Sequence, residues 1–194
     1  MSEASRAAEL ARVRQLRADG RHDDHLAAAV ALAAQAPSDA DARVEAAFAL
    51  DRCGDEAAAI RHYDAAWQLG VPAALRRRFV VGYGSTLRNV GRAEEAVVVL
   101  TDELQRDPGY AAYTAFLALA LHSAGHASAA LATMLGCVLD VADRAAGAGG
   151  AAPHPLDGFA RALGEYYQEL LRAAAPGAPG TPGTPGTPGT PGTH

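Results

Sequence analysis

The chain has 194 residues, of which about half are apolar, and a net charge of −5, and all 17 of its basic residues are arginine. This mild negative charge gives no general case for binding nucleic acid or an anionic membrane, both of which favour a basic protein face. No stretch approaches the roughly 18 uninterrupted apolar residues of a transmembrane helix, and residues 1–10 do not read as a signal peptide.

Four helical hairpins are predicted in chain order, each bent at a glycine. The turn glycines Gly20, Gly54, Gly91 and Gly125 are separated by 34, 37 and 34 residues. Apolar residues recur at helical spacing before and after each of them, and glycine is the usual residue where one helix ends and the chain turns back. The expected hairpins are residues 4–19 with 22–36, 39–53 with 55–69, 74–90 with 92–106, and 110–124 with 127–143.

Further residues keep the same register with these glycines. Five positions after the last three turn glycines stand small residues that let two helices approach: Ala59, Ala96 and Ala130. Nine positions after the same glycines stand large residues that fill the space beside them: Tyr63, Leu100 and Met134. Prolines that end the second helices follow at Pro37, Pro72 and Pro108. Ser38 and Asp41 give an S-x-x-D signal for the start of the second hairpin.

With these residues in place, the sequence resembles the tetratricopeptide repeat family, in particular a compact bacterial branch of short stand-alone proteins. The resemblance covers roughly residues 5–143 and is best in the second unit: Ala46, Ala47, Leu50, Gly54, Ala59, Tyr63, Ala66 and Pro72. The first unit departs from the family pattern, with His25 where a small residue is expected, and is interpreted as a degenerate capping repeat. The resemblance implies an all-α fold, a right-handed superhelical stack of helix–turn–helix repeats.

The chain divides by composition into four parts. The repeat array is expected over residues 1–145, a flexible joint over 146–155, and an amphipathic C-terminal helix over 156–174 that caps the last hairpin, a partner or a second copy. The tail, 175–194, repeats Pro-Gly-Thr with glycine at every third position. This composition favours disorder, and a collagen-like trimer is the alternative.

The candidate catalytic and metal-binding groups lack the spacing that such chemistry requires. Cys53 and Cys137 lack a metal-ligand spacing, which indicates reduced thiols and a cytoplasmic location. His122 and His126 are four residues apart, but the turn at Gly125 separates them. The stretch 82–86 lacks the Gly-Lys-Ser/Thr ending of a phosphate loop, and Gly84 is expected to permit close helix packing. The sequence therefore predicts a protein that is not an enzyme and uses no metal and no cofactor.

The family resemblance implies that the first helix of each pair lines a concave face that binds partner proteins. At the corresponding positions the candidate partner-binding residues are Arg14, Arg17, Phe48, Asp51, Arg78, Ser85, Arg88, Asn89, Leu119 and His122. Val81 and Ala115 replace the lysines and asparagines with which some members clamp a C-terminal carboxylate. The resulting hypothesis is a groove for a protein or peptide, with an acidic segment as the favoured form, because arginine pairs well with carboxylates.

Two alternatives stay open at this stage. The arginines could be ordinary solvated helix residues without a ligand. The fourth hairpin and the C-terminal helix could instead form a homodimer, in which the protein is a structural or regulatory adaptor. No nucleic-acid or membrane partner is expected.

Overall fold

The computed structural model describes residues 2–148, 156 and 159–175. All regular structure in these residues is helical, which confirms the predicted all-α fold. The α-helices of the described residues are α1 (Glu3–Ala18), α2 (His22–Gln35), α3 (Ala40–Arg52), α4 (Glu56–Leu69), α5 (Arg76–Asn89), α6 (Ala93–Arg106), α7 (Ala111–Ser123), α8 (Ala127–Ala148) and α9 (Ala160–Ala174). A 3-10 turn, Ala73–Leu75, directly precedes α5.

The hairpin turns form at the four marked glycines, which adopt φ values of 70°, 81°, 83° and 88°. Only glycine enters this left-handed region without a steric cost. In each turn the residue after the glycine donates its backbone N–H to the carbonyl of a leucine five positions earlier, namely Leu16, Leu50, Leu87 or Leu121. This is the Schellman arrangement, which satisfies carbonyls that the ending helix leaves unpaired. The repeated leucine and glycine therefore form the same turn in all four hairpins.

The start of α3 differs from the sequence prediction. The cap is Asp39, whose Oδ1 accepts a hydrogen bond from the backbone N–H of Ala42 at 3.3 Å. The predicted cap at Ser38, with Asp41 three residues later, is wrong. Helix α3 begins at Ala40, so Asp39, the extended residue just before it, is the N-cap.

The core contains the small and large residues expected from the register. Ala59, Ala96, Tyr63 and Leu100 are fully buried. A Cβ atom on Gly84 would lie 2.8 Å from the side chain of Leu100, so this glycine lets α5 approach α6 closely, as predicted. An aromatic cluster occupies the middle of the stack and consists of Phe48, Tyr63, Trp67, Phe79 and Tyr83.

The stacking of the hairpins gives the molecule an inner face. The first helices of successive pairs contact one another, α1 with α3, α3 with α5, and α5 with α7. Within the described residues, no such contacts join the second helices α2, α4, α6 and α8. The first helices are therefore closer together, and they form the inner side of a curved stack.

The two ends of the stack are held differently. Arg6, Arg14 and Arg17 of α1 form ion pairs with Asp39, Asp41 and Glu45 at and within α3. At the other end, α9 packs against α8, with the ring of Tyr167 close to Gly136.

The structure describes the C-terminal third only in part. Helix α8 continues to Ala148, past the expected start of the joint, and α9 runs over Ala160–Ala174. Most of the predicted joint and the tail from residue 176 onward lie outside the described residues. Among the helices that are described, none combines the length and apolarity that crossing a bilayer requires.

Candidate functional site

A cavity of about 440 Å³ opens on the inner face between α3, α5 and α7. Its lining combines aromatic, aliphatic and charged side chains with one glycine: Phe48, Asp51, Arg52, Tyr63, Arg78, Val81, Gly82, Ser85 and Phe116. All of these residues except Tyr63 belong to first helices, so the cavity lies on the face that the stacking turns inward.

The floor of the cavity depends on Tyr63 and Gly82. Tyr63 is fully buried, and its hydroxyl donates a hydrogen bond to Oδ2 of Asp51 at 2.9 Å. A Cβ atom on Gly82 would lie 2.3 Å from the Tyr63 hydroxyl oxygen, so any side chain there would displace the phenol. Burial raises the pKa of Tyr63, which keeps the phenol a donor at neutral pH. Burial also raises the pKa of Asp51, and the hydrogen bond from Tyr63 opposes this shift.

Two arginines from different hairpins lie against the ring of Phe48. The Cζ atom of Arg78 on α5 is 4.7 Å from the ring centroid, and that of Arg17 on α1 is 5.5 Å away. A guanidinium at this distance is attracted by the ring and keeps its N–H groups available at the edge. Phe48 therefore fixes two positive charges at the cavity.

Three arginines of the first helices lie near the cavity without a carboxylate partner. In the part of the chain that the structure describes, Arg52, Arg78 and Arg88 form no ion pair with an acidic residue, and the buried Nε of Arg88 has no hydrogen-bond partner. On the other surfaces, most arginines are paired with carboxylates, among them Arg6, Arg76, Arg77, Arg92, Arg106 and Arg144. The inner face thus has positive charge that the described residues do not neutralise.

A buried carboxylate lies behind Phe48. Glu45 on α3 is fully buried, with its oxygens 3.1 Å from Nε of Arg17, 3.3 Å from Nε of Arg14 and 3.3 Å from Nε2 of His25. Burial lowers the pKa of His25, and Glu45 only partly offsets this, so the imidazole is neutral near pH 7. The charge of Glu45 is therefore balanced by the two arginines of α1, since a buried charge must be paired.

The candidate residues from the sequence are distributed as follows. Phe48, Asp51, Arg78 and Ser85 line the cavity, and Arg17 touches it through Phe48. Arg14 is already paired with Asp41 and Glu45. The remaining four are not in the lining: Arg88, Asn89, which donates to Glu56, Leu119 and His122. The assignment of these ten residues to a partner site stays a prediction.

Sequence reasoning missed Arg52, Phe116 and Glu45. Arg52 and Phe116 stand one position beyond the inner-face register, where a long or aromatic side chain still reaches the cavity. The signal for Glu45 was its place in the otherwise apolar stretch Val44–Leu50, where an unpaired carboxylate would be too costly to bury.

The described part of the chain contains no arrangement for metal binding. Among the described residues, no group of three or more His, Cys, Asp or Glu side chains could hold a metal ion. His126 lies beyond the Gly125 turn, with its Nε2 3.2 Å from Oε1 of Glu94.

A family model, the tetratrico peptide repeat, matches residues 40–146. The chain therefore belongs to the tetratricopeptide repeat family, whose repeats generally serve as non-catalytic scaffolds for protein–protein interaction. The match begins at α3, so α1 and α2 precede it. No curated protein matches the sequence of this chain.

Proposed function

We propose that the protein binds a segment of another protein on its concave inner face. A large apolar side chain of the partner enters the cavity, and acidic residues beside it pair with Arg78 and Arg88. The observation that carries this proposal is the position of Arg78, which is exposed on the ring of Phe48 and has no carboxylate partner in the described residues.

The size and lining of the cavity support an apolar anchor. Its volume of about 440 Å³ is within the range of pockets that enclose a compact ligand. Phe48, Val81 and Phe116 supply apolar surface, and the single carboxylate, Asp51, already accepts a hydrogen bond from Tyr63. An anionic group of the partner is therefore expected near the arginines and away from Asp51.

The arginines support an acidic partner. A hydrogen bond to a charged group contributes roughly 1.5–3 kcal/mol when it is partly shielded from water. The buried Nε of Arg88 has no hydrogen-bond partner, and its guanidinium has no carboxylate partner in the described residues.

Selection of binders from a random peptide display library on the full chain tests the proposal. We expect enrichment of peptides that combine a large apolar residue with Asp or Glu. The double variant Arg78→Glu/Arg88→Glu should weaken binding of a selected peptide, measured by fluorescence anisotropy, at least about 100-fold, because two charge-assisted contacts become repulsive.

Arg61→Glu/Arg172→Glu is the matched control. It makes the same change in net charge on α4 and α9, away from the cavity, and should leave the dissociation constant within about twofold, because exposed distant charges are largely screened. Equal losses in the two variants, or undiminished binding in the first, would remove the groove proposal.

Self-association is a second candidate, favoured by apolar side chains at the C-terminal end. Leu131, Val138 and Val141 on α8 and Phe159 and Tyr166 beside and on α9 are all exposed. If these residues form a homodimer, light scattering of the full chain should give twice the chain mass, and Phe159→Ser/Tyr166→Ser should return it to one. A single chain mass at high micromolar concentration would exclude this candidate.

A further inference from the structure

We propose that the first hairpin forms part of the partner-binding site: Arg17 on α1 is a second receptor for acidic groups of the partner, and the buried Glu45 is the residue that positions it. This inference rests on the proposed function and specifies its chemistry. It assigns a binding role to a segment that lies before the region matched by the family model, residues 40–146.

Arg17 and Arg78 converge on one aromatic ring. Arg17 comes from the first hairpin and Arg78 from the third, and both guanidiniums lie within 5.5 Å of the centroid of Phe48, which lines the cavity. The positive charge of Arg78 also contributes to a lowered pKa of Arg17, after the larger effect of burial. Two cations that repel each other at the same aromatic side chain would gain from acidic groups bound beside them.

Glu45 holds Arg17 from inside the core. Its carboxylate is fully buried, and Oε2 lies 3.1 Å from Nε of Arg17. This contact is an ion pair without a hydrogen bond, because the buried Nε of Arg17 has no hydrogen-bond partner in the described residues. Glu45 therefore holds the guanidinium by charge and leaves its N–H groups for another acceptor. The other groups around Glu45 are Arg14 and His25, and Arg14 also pairs with Asp41.

The charges of the inner face favour an acidic ligand. Arg14 and Arg17 of α1 together neutralise Asp41 and Glu45 of α3, so these four residues add no net charge to the inner face. Arg17 nevertheless brings a guanidinium to the ring of Phe48. Arg52, Arg78 and Arg88 then leave a positive excess over Asp51 among the described residues of α3 and α5. An acidic peptide that touches α1, α3 and α5 complements this arrangement.

The test compares two peptides, an acidic peptide obtained by the selection described above and its analogue with Asp and Glu replaced by Asn and Gln. We expect wild type to prefer the acidic peptide, and Arg17→Met to reduce this preference about three- to tenfold, because one charge-assisted contact is lost while the apolar stem is kept. Arg12→Met, on the same helix but paired with Glu9, is the control and should keep the full preference.

Glu45→Gln separates positioning from simple charge. If Glu45 positions Arg17, the variant should bind the acidic peptide several-fold more weakly, even though removing a negative charge would by itself strengthen binding. Glu103→Gln is the matched control, because Glu103 is also buried and bridges Arg76 and Arg106 away from the cavity. It should lower the melting temperature to a similar degree without changing the peptide preference.

The outcomes are distinct. Retention of the full preference in Arg17→Met, or stronger acidic-peptide binding by Glu45→Gln, would overturn the inference. If Glu45→Gln does not fold, the Arg17→Met result decides alone. A peptide whose binding depends on Arg78 and Arg88 but not on Arg17 would contradict this inference and leave the proposed function standing. Failure of the proposed function would appear earlier, as the absence of any peptide sensitive to Arg78 and Arg88.

Discussion

At the scale of single residues, Gly82 determines the shape of the cavity through a missing methyl group. Replacing a helical glycine by alanine normally stabilises a helix by about 1 kcal/mol. In Gly82→Ala the new Cβ would lie 2.3 Å from the hydroxyl oxygen of Tyr63, which is buried among aromatic rings and has little room to move. We expect Gly82→Ala to lower the free energy of unfolding by about 1–3 kcal/mol, measured by urea denaturation.

Gly164→Ala is the control for this prediction. Gly164 lies inside α9, and a Cβ atom there would meet no atom within 4 Å. The substitution should leave the stability of the array unchanged and increase the helicity of α9, as helix propensity alone dictates. Stabilisation by Gly82→Ala would show that Tyr63 can yield and that the floor is not rigid.

His25 gives the chain a predicted dependence on pH. Burial lowers its pKa in the folded state, whereas in the unfolded chain the imidazole titrates near its ordinary value of about 6.5. Below that value the unfolded state binds more protons, so the stability is full above about pH 6.5 and is lost as the pH falls toward the lower, folded pKa. We expect the free energy of unfolding, measured by urea denaturation, to be lower at pH 5.5 than at pH 7.5 on account of His25, by at most about 1.4 kcal/mol for one pH unit below the unfolded pKa.

His25→Gln should remove this part of the pH dependence, and His22→Gln, an exposed histidine on the same helix, should not. Some dependence will remain in His25→Gln, because burial lowers the pKa of His62 as well. Identical pH profiles for wild type and His25→Gln would refute the assignment.

At the scale of helices, α9 depends on its contact with α8. An isolated helix of 15 residues is marginal in water, and no residue of α9 is fully buried. Tyr167 is the side chain that packs against Gly136, whereas its neighbour Tyr166 is mostly exposed. Among the described helices α9 contacts α8 alone, and the ring of Tyr167 lies at this contact.

Hydrogen exchange of the α9 backbone amides measures this dependence. Tyr167→Ala should lose roughly 1–3 kcal/mol of buried apolar contact, so these amides should exchange at least about fivefold faster. Tyr166→Ala should leave the rates near those of wild type, and neither change should alter exchange in α3–α6. Equal acceleration by the two variants would mean that the ring of Tyr167 does not anchor the helix.

At the scale of the whole molecule, the fold was predictable because the turns allow almost no choice of residue. A positive φ requires glycine at Gly20, Gly54, Gly91 and Gly125, and a close helix contact requires a small residue such as Ala59. These constraints act on single positions and repeat at a fixed spacing, so they are visible in a linear sequence.

The candidate site was predictable only in part, because a register identifies a face and not the atoms that meet there. Phe48, Asp51, Arg78 and Ser85 follow from the register and lie around one cavity. Glu45 does not, since its burial depends on side chains from α1 and α2 that close on it only in three dimensions. The contact between Tyr63 and Asp51 likewise depends on the bare backbone of Gly82 on another helix.

The two glycines of α5, Gly82 and Gly84, also affect the order in which parts of the molecule unfold. Gly82 admits Tyr63 of α4 on one side, and Gly84 admits Leu100 of α6 on the other, so the tightest interlocking occurs in the centre of the stack. Because each hairpin is supported by its neighbours alone, transient unfolding should begin at the termini and reach α5 last. A bound peptide that contacts both Arg17 and Arg78 would link the terminal first hairpin to the central helix α5. Protection would then spread along all of α1, well beyond the atoms that the peptide touches.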